Sequence, residues 1–434
     1  MFKFNDARDW FFNKRLGLFV HWGLYSINGF HEQEMFRRNI PRHIYAKLKD
    51  QFNPIEFNPD LWIDMAQEAG MEYIVFTSKH QDGFCMWDTK YTDFNIMNTP
   101  YKKDILAMLA EACHRRNFPL FIYYCWTDNM HTNFPNRGEW HQWLVPQEGD
   151  IPDTVKYIEY VKNQVVELCT NYGEIAGFWW DCGQEMKCID HSVNDMIREL
   201  QPKALINGRG LDEGDYSTPE RNYNESVYQV RKFTYPTEAC ESIGMNSWGY
   251  RFEEDYFSSK HLIQSIDRTL CLGGNYLLNV GPKSDGTIGR EFTECLNKIG
   301  KWYNMAKEAF RDADSVSNAI ANENVYATRK GNNIYLHLYR DPQGSSVEIK
   351  PLDEIPQNVT LLNDGRQLDV KRDQCTKYWR DPMGYLRIRE LPVEEFYDTV
   401  MIVKLEYKKL PKVFIEACSS DMMLKAEVHK QVRD

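Results

Sequence analysis

No run of eighteen apolar residues occurs in the sequence, so no stretch is long enough to cross a bilayer as a single helix. Met1 leads directly into Phe-Lys-Phe-Asn-Asp without an apolar signal segment, and the location expected on that ground is the cytoplasm. The 11 cysteines are scattered, odd in number and without a CxxC spacing. That pattern suits reduced thiols and argues against a disulfide scaffold or a cysteine-rich zinc site. A basic stripe is missing as well: 52 Lys and Arg stand against 63 Asp and Glu, a formal net charge of -11. Without counterion release to drive it, binding to nucleic acid or to an anionic membrane is not expected. No GxGxxG follows an apolar run, which removes the fingerprint of a dinucleotide site, and Cys271-Leu272-Gly273-Gly274 reads as a helix stop. Internal repeats and low-complexity linkers are absent too.

What remains is the composition of a globular protein, 42% hydrophobic and 26% charged over 434 residues, enough for one large domain and a smaller one. Aromatic residues reach 14%, with 12 Trp and 25 Tyr. Such rings fill cores, and they also stack on the apolar faces of sugars. Over roughly the first 300 residues, short continuous apolar runs alternate with helical spacing. The runs are Leu16 to Gly23, Tyr73 to His80, Leu120 to Cys125, Ile175 to Asp181, Ala204 to Arg209 and Tyr276 to Val280. Helical segments are read over Pro59 to Gly70, Asp104 to Arg116, Asp153 to Asn171, Val193 to Leu200, Ser258 to Leu272 and Arg290 to Arg311. This is the signature of a parallel sheet covered by helices. Polar and ring-bearing residues recur at the C-terminal end of nearly every run. Only a closed ring brings such ends together, so a (β/α)8-like TIM barrel is expected, not an open doubly wound sheet.

The period changes after Ser315. Val325 to Thr328 and Ile334 to Leu338 alternate as a hairpin, Asp364-Gly365 marks a turn between Thr360 to Asn363 and Arg366 to Val370, and Tyr385 to Ile388 and Thr399 to Leu405 add strands. The expected organisation is a barrel over residues 1–313, a small antiparallel β-sandwich over 314–407, and a tail at 408–434 that reads equally as a packed helix or a frayed end.

The chain's chemistry is organised around Ile175-Ala176-Gly177-Phe178-Trp179-Trp180-Asp181-Cys182-Gly183. A lone carboxylate closing a strand built for dispersion costs several kcal/mol unless it is paired. The plain alternative is a helix cap or loop anchor. The functional reading places Asp181 at the barrel mouth beside walls of indole. Other strand ends supply His21, His80, Tyr123-Tyr124 and Arg209, followed by a loop with Asp212, Glu213, Asp215, Glu220 and Glu225. A pair of carboxylates flanking a glycosidic bond suffices for glycoside hydrolysis: one attacks the anomeric carbon and the other protonates the leaving oxygen.

Several motifs are more specific. Arg15-Leu16-Gly17-Leu18-Phe19-Val20-His21-Trp22-Gly23 resembles the opening strand of the α-L-fucosidases, a retaining glycoside hydrolase family. His31-Glu32 with Met35-Phe36-Arg37, then Thr77-Ser78-Lys79-His80-Gln81-Asp82-Gly83, Tyr123-Tyr124, Trp179-Trp180-Asp181, Asn207-Gly208-Arg209, Thr218-Pro219-Glu220, Ser247-Trp248-Gly249-Tyr250 and Leu277-Leu278-Asn279-Val280-Gly281-Pro282 follow in that family's order. The resemblance spans about residues 8 to 310 and implies a C-terminal β-sandwich. It implies Asp181 as nucleophile and Glu220 as general acid/base, with Glu213, Glu225 and Glu238 as alternatives. It implies His21, Glu32, His80, Gln81, Tyr124, Trp179, Arg209 and Trp248 as the residues that bind fucose, Trp248 against its methyl group. Two positions depart from the family's pattern: Gln33 stands where a tryptophan is usual, and Gln81 where a second histidine is usual.

The expected activity is exo-acting, retaining α-L-fucosidase action on a small carbohydrate substrate, without a metal or organic cofactor. Two alternatives stand beside it. One is a metal-dependent barrel hydrolase using His21, His80 and Asp181, although His-Trp-Gly gives poor ligand spacing. The other is a carbohydrate-binding barrel that has lost catalysis. Natural linkage and aglycone stay open, with loop contacts expected from Trp126 to Trp143, and so does a homo-oligomeric state.

Overall fold

A computed structural model describes residues 3–135, 146–183, 189–221, 231–320, 322–349, 354–373 and 385–419 of the chain. Seven strands form one parallel sheet: β1 (Leu16–Val20), β2 (Ile74–Lys79), β3 (Leu120–Cys125), β4 (Gly177–Asp181), β5 (Leu205–Ile206), β6 (Glu238–Ser242) and β7 (Asn275–Val280), in the order β5-β4-β3-β2-β1-β7-β6. β6 escaped the sequence reading. Between the free edges of β5 and β6, the stretch from Tyr216 to Glu220 runs parallel to both through the bridges Asn207–Tyr216, Ser217–Thr237 and Glu220–Cys240. Gly208 N–H donates to Tyr216 O at 2.8 Å, and Glu238 N–H to Ser217 O at 2.8 Å. This short stretch serves as the eighth stave and joins the two edges, as a (β/α) barrel requires.

Helices cover the outside at Pro59–Glu68, Ile105–Arg115, Thr154–Thr170, Ser192–Leu200, Ser259–Cys271 and Arg290–Ala306. Four of them start where a side-chain oxygen takes up an orphan backbone N–H: Asn58, Asp104, Asp153 and Ser258 each accept from the first helical turn. Their apolar stripes bury Ile105, Leu109, Val161, Leu168, Ile266 and Leu296 against the outer face of the sheet. The ring encloses a second core of Phe19, Val75, Phe121, Tyr123, Trp179, Leu205, Cys240 and Leu277, closed below by Phe11 and Phe12 of a 3-10 turn, Ala7–Phe12. Large rings fit there because glycines face them. A Cβ on Gly17 would stand 2.3 Å from the Tyr73 ring, and one on Gly177 would stand 2.1 Å from Phe121.

Strand alternation decides which side chains reach the barrel interior. Tyr123, Trp179 and Asp181 share the inward parity; Tyr124 and Trp180 lie on the outer face, in the core shared with the helices. On β2 the register to β3 slips between Thr77 and Lys79. This bulge turns Lys79 outward to Tyr124 and leaves His80 stacked on the inward-facing Tyr123, with ring centroids 5.8 Å apart.

Beyond the barrel, β8 (Asp314–Ser315), β9 (Tyr326–Lys330), β10 (Asn333–Leu338), β12 (Asn358–Leu361) and β15 (Met401–Glu406) form a five-stranded antiparallel sheet in the order β12-β15-β10-β9-β8. β11 (Ser346–Ile349), β14 (Tyr385–Arg389) and β13 (Asp369–Asp373) form a three-stranded one in that order. Their inner faces share a core of Leu336, Ile349, Val359, Ile388 and Val403. Asp364-Gly365 turns the chain as expected: Leu361 N–H donates to Arg366 O and Leu368 N–H to Val359 O, both at 2.9 Å, across an antiparallel bridge from Thr360 to Gln367, before Asp369–Asp373 crosses to pair with β14 in the smaller sheet. A helix, Lys412–Ser419, seats Phe414 in the sandwich core, so the start of the tail is packed; residues 420–434 lie outside the described set.

Candidate active site

Asp181 ends β4 at the C-terminal mouth of the barrel. Its Oδ2 accepts the Tyr123 hydroxyl at 2.7 Å, and its Oδ1 lies 3.2 Å from Nη2 of Arg209. That same nitrogen donates to Oε2 of Glu220 at 2.6 Å. One guanidinium therefore ties two carboxylates together, and it lies over the Trp179 indole with its carbon 5.1 Å from the ring centre. The side chains of Asp181, Arg209 and Glu220 keep 17%, 16% and 28% of their surface exposed, so the group opens outward and is not sealed in the core. Burial opposes charge on Asp181, but the Arg209 guanidinium and the Tyr123 hydroxyl outweigh it and hold the carboxyl below its ordinary range.

His21 continues β1 into the same mouth. Asn279 donates through Nδ2 to Ser242 Oγ at 2.9 Å and to Trp248 O at 2.7 Å, which turns its Oδ1 toward Nδ1 of His21 at 2.7 Å. Nδ1 therefore carries the proton and Nε2 is left to accept. Burial and the neighbouring His80 push His21 down to about 3, and burial lowers His80 too. Both are neutral hydrogen-bonding groups at neutral pH. Nδ1 of His80 and Nε2 of Gln81 are buried polar atoms without a partner in the ligand-free site. Trp248 packs beside His21 at 5.2 Å, with the Arg221 guanidinium carbon 4.7 Å from its own ring centre.

Glu32 is buried beside this wall. Its Oε2 accepts from Ser247 Oγ at 2.8 Å, Trp248 N at 2.9 Å and Gly249 N at 3.3 Å. Burial works against its charge, yet neighbouring imidazoles and these donors hold it down at about 2. Nδ1 of His31 lies 3.2 Å from the same oxygen and accepts the Gln33 N–H. Gln33 spends its side chain on Arg37, accepting from Nε at 2.9 Å, and offers no ring to the site.

The structure thus gathers Asp181, Glu220, His21, Glu32, His80, Arg209 and Trp248 at one mouth, with Trp179 beneath as floor. The indole N–H of Trp179 is spent on Glu238 at 3.0 Å, so this residue offers only its ring face. Tyr124 is elsewhere. Its hydroxyl accepts from Lys79 Nζ at 2.8 Å and donates to Gln164 at 2.7 Å behind the sheet, which corrects the expectation that it binds substrate. Tyr123 reaches Asp181 in its place. Two of the alternative acids also fail on position. Glu238 is fully buried inside the ring, bonded to the Tyr73 hydroxyl at 2.6 Å, and Glu213 is solvent-exposed on the loop before the eighth stave. Glu225 and the loop positions from 136 to 143 lie outside the described residues. The metal reading gains nothing here: among the described residues, the groups close enough to share an ion are Cys125 with Asp181 and Cys182, and Asp267 with Cys271 and His337, without His21 or His80.

The sequence reading assigned no role to Tyr123, Asn279 or Ser247. Asn279 and Ser247 lay inside recognised motifs, but nothing in a linear sequence marks them as partners of His21 and Glu32. Glu241 was missed altogether. It is a mostly buried carboxyl 3.5 Å from Arg221 Nε, raised to about 7 by burial despite that arginine, with Glu220 adding to the rise.

A parallel barrel carrying two carboxylates on one guanidinium at its mouth, inside a wall of indole and imidazole, defines a glycoside hydrolase. Comparison with known proteins narrows this. The chain belongs to the alpha-L-fucosidase family, whose model matches residues 2–308. It is 26% identical over 391 residues to a tissue alpha-L-fucosidase of Bos taurus, covering 83% of this chain and 81% of that one. It is 27% identical over 336 residues to the human plasma alpha-L-fucosidase, covering 70% of each. Among solved structures, alpha-L-fucosidase isoenzyme 1 of Paenibacillus thiaminolyticus superposes with a TM-score of 0.81 at 28% identity, over 93% of this chain and 99% of that one. An alpha-L-fucosidase of Bacteroides thetaiotaomicron, solved as a covalent intermediate trapped with 2-fluoro-fucosyl fluoride in a glutamate-to-glutamine mutant, superposes with a TM-score of 0.77 at 26% identity, over 93% and 97%.

Proposed function

We propose that this protein is an exo-acting, retaining alpha-L-fucosidase that releases terminal α-linked L-fucose by double displacement, with Asp181 as nucleophile and Glu220 as general acid/base. In the first step an Asp181 oxygen attacks the anomeric carbon while Glu220 protonates the departing oxygen. A water, deprotonated by Glu220, then cleaves the fucosyl ester with a second inversion. Arg209 and Tyr123 keep Asp181 ionised and oriented. His21, His80 and Gln81 offer unspent hydrogen-bonding atoms to sugar hydroxyls, and Trp248 offers an apolar face to the 6-deoxy methyl, worth about 0.8 kcal/mol when buried.

The observation that carries the reading is the shared Nη2 of Arg209. Its distances of 3.2 and 2.6 Å bound the gap between the two carboxylate oxygens at under about 6 Å. That agrees with the roughly 5–5.5 Å of retaining glycosidases and falls short of the roughly 6.5–9.5 Å that an inverting water requires. Proton NMR of the first-formed sugar from an aryl α-L-fucoside tests it: the α anomer is expected first, and the β anomer first would refute the mechanism. Asp181→Gly is expected to lower turnover on the order of 10⁴-fold.

A further inference from the structure

We propose that Cys125, Cys182 and Asp181 form a site for a soft divalent cation of the zinc and cadmium class, and that its occupation shuts the enzyme off. Cys125, the last residue of β3, pairs in parallel register with Asp181 on β4. Cys182 follows Asp181 at a φ of +56°. One ligand atom from each of the three residues lies within 4.8 Å of the others. Two sulfurs and a carboxylate oxygen suit zinc or cadmium, whereas magnesium and calcium want oxygen alone. Cys182 and Asp181 are partly exposed, which gives the cation an entry path.

The charge balance favours exchange over simple addition. As the cation enters, two S–H bonds break, two sulfur–metal bonds form and both protons leave to solvent; no electron is transferred. A dication replaces two protons, so the local charge is unchanged beside Arg209, 3.2 Å from Asp181, which would repel an uncompensated cation. The other three-ligand group among the described residues differs on both counts. Asp267 and His337 are fully buried and bond to each other directly at 2.6 Å, with no room for an ion between them.

Inhibition rests on the reading of Asp181 as nucleophile, since a metal-bound carboxylate cannot attack carbon. The test uses the full-length enzyme, kept reduced, stripped with chelator and dialysed, with Cd²⁺ or Zn²⁺ alone as probe. Cd²⁺ is expected to raise an ultraviolet thiolate-to-cadmium charge-transfer band. Either cation is expected to inhibit aryl α-L-fucoside hydrolysis competitively, reversed by EDTA. Cys182→Ser should cut the band and weaken inhibition about tenfold or more while leaving basal turnover in place. Cys182→Gly, at home at that backbone angle, is the second variant should serine disturb folding. Inhibition equally strong in Cys182→Ser and Cys125→Ser, or a band indifferent to both, overturns the site. A Cys182-dependent band with undiminished hydrolysis upholds the site and overturns Asp181 as nucleophile.

Discussion

Asp181 owes its charge to two neighbours of different kinds, and each can be removed separately. Tyr123→Phe deletes the 2.7 Å hydroxyl contact and leaves the ring stacked on Trp179. A hydrogen bond to a charged group contributes about 1.5–3 kcal/mol, so kcat is expected to fall roughly 10- to 100-fold with KM nearly unchanged. Tyr124→Phe should leave fucoside kinetics alone and lower the melting temperature, because it strips a partner from the buried Lys79 ammonium. If Tyr124→Phe lowers kcat and Tyr123→Phe does not, the assignment of faces is wrong. The two tyrosines also mark what was readable from sequence. The Tyr-Tyr pair was visible, but which ring faces Asp181 depends on the parity of β3 in its register with β4, which a linear pattern does not report. The acid/base is separable in the same way. Glu220→Gln is expected to slow substrates with poor leaving groups on the order of 10²- to 10⁴-fold and activated aryl fucosides less, a split that Glu241→Gln should not reproduce.

At the level of elements, the apolar strands were legible because helices bury one face and ring side chains the other. β6 and the Tyr216 to Glu220 stave were not. Glu-Ala-Cys-Glu-Ser lacks an apolar run, since its inward carboxylate is satisfied by two specific donors, the Tyr73 hydroxyl and the Trp179 indole. The eighth stave is held by single bridges, too short to leave a period. Glu238 gives this element a pH signature. Burial raises it from 4.5 to about 7 against the pull of those donors. Between those values the folded chain holds a proton that the unfolded chain has released, so stability falls as pH rises through the window. Glu238→Gln is expected to flatten that slope. Urea unfolding at pH 5 and pH 8 should show the wild type losing on the order of 2–3 kcal/mol more than the variant. Equal losses would mean that Glu238 is ionised in the barrel.

Across the whole molecule, the sandwich is fastened to the barrel by polar clasps as well as by apolar contact. Trp302 donates to Val400 O at 3.1 Å, and His337 on β10 meets Asp267 on a barrel helix at 2.6 Å. Thr328 donates to Ala309 O at 2.6 Å, so its oxygen accepts from Nε2 of His337, and the proton between His337 and Asp267 completes a buried pair. Removing one member of such a pair costs about 3–5 kcal/mol, so His337→Ala should lower the melting temperature sharply while the surviving folded enzyme keeps its KM. A sandwich was foreseeable from its alternation and turns; its docking contacts were not, because they join residues some 70 positions apart, His337 to Asp267. The account as a whole depends on a covalent bond to one side chain. Inactivation by a 2-fluoro-fucosyl fluoride, followed by peptide mass spectrometry, measures it directly. The account predicts one fluorofucosyl group, carried on Asp181; a label on another residue, or steady turnover of the reagent with no labelled peptide, would contradict it.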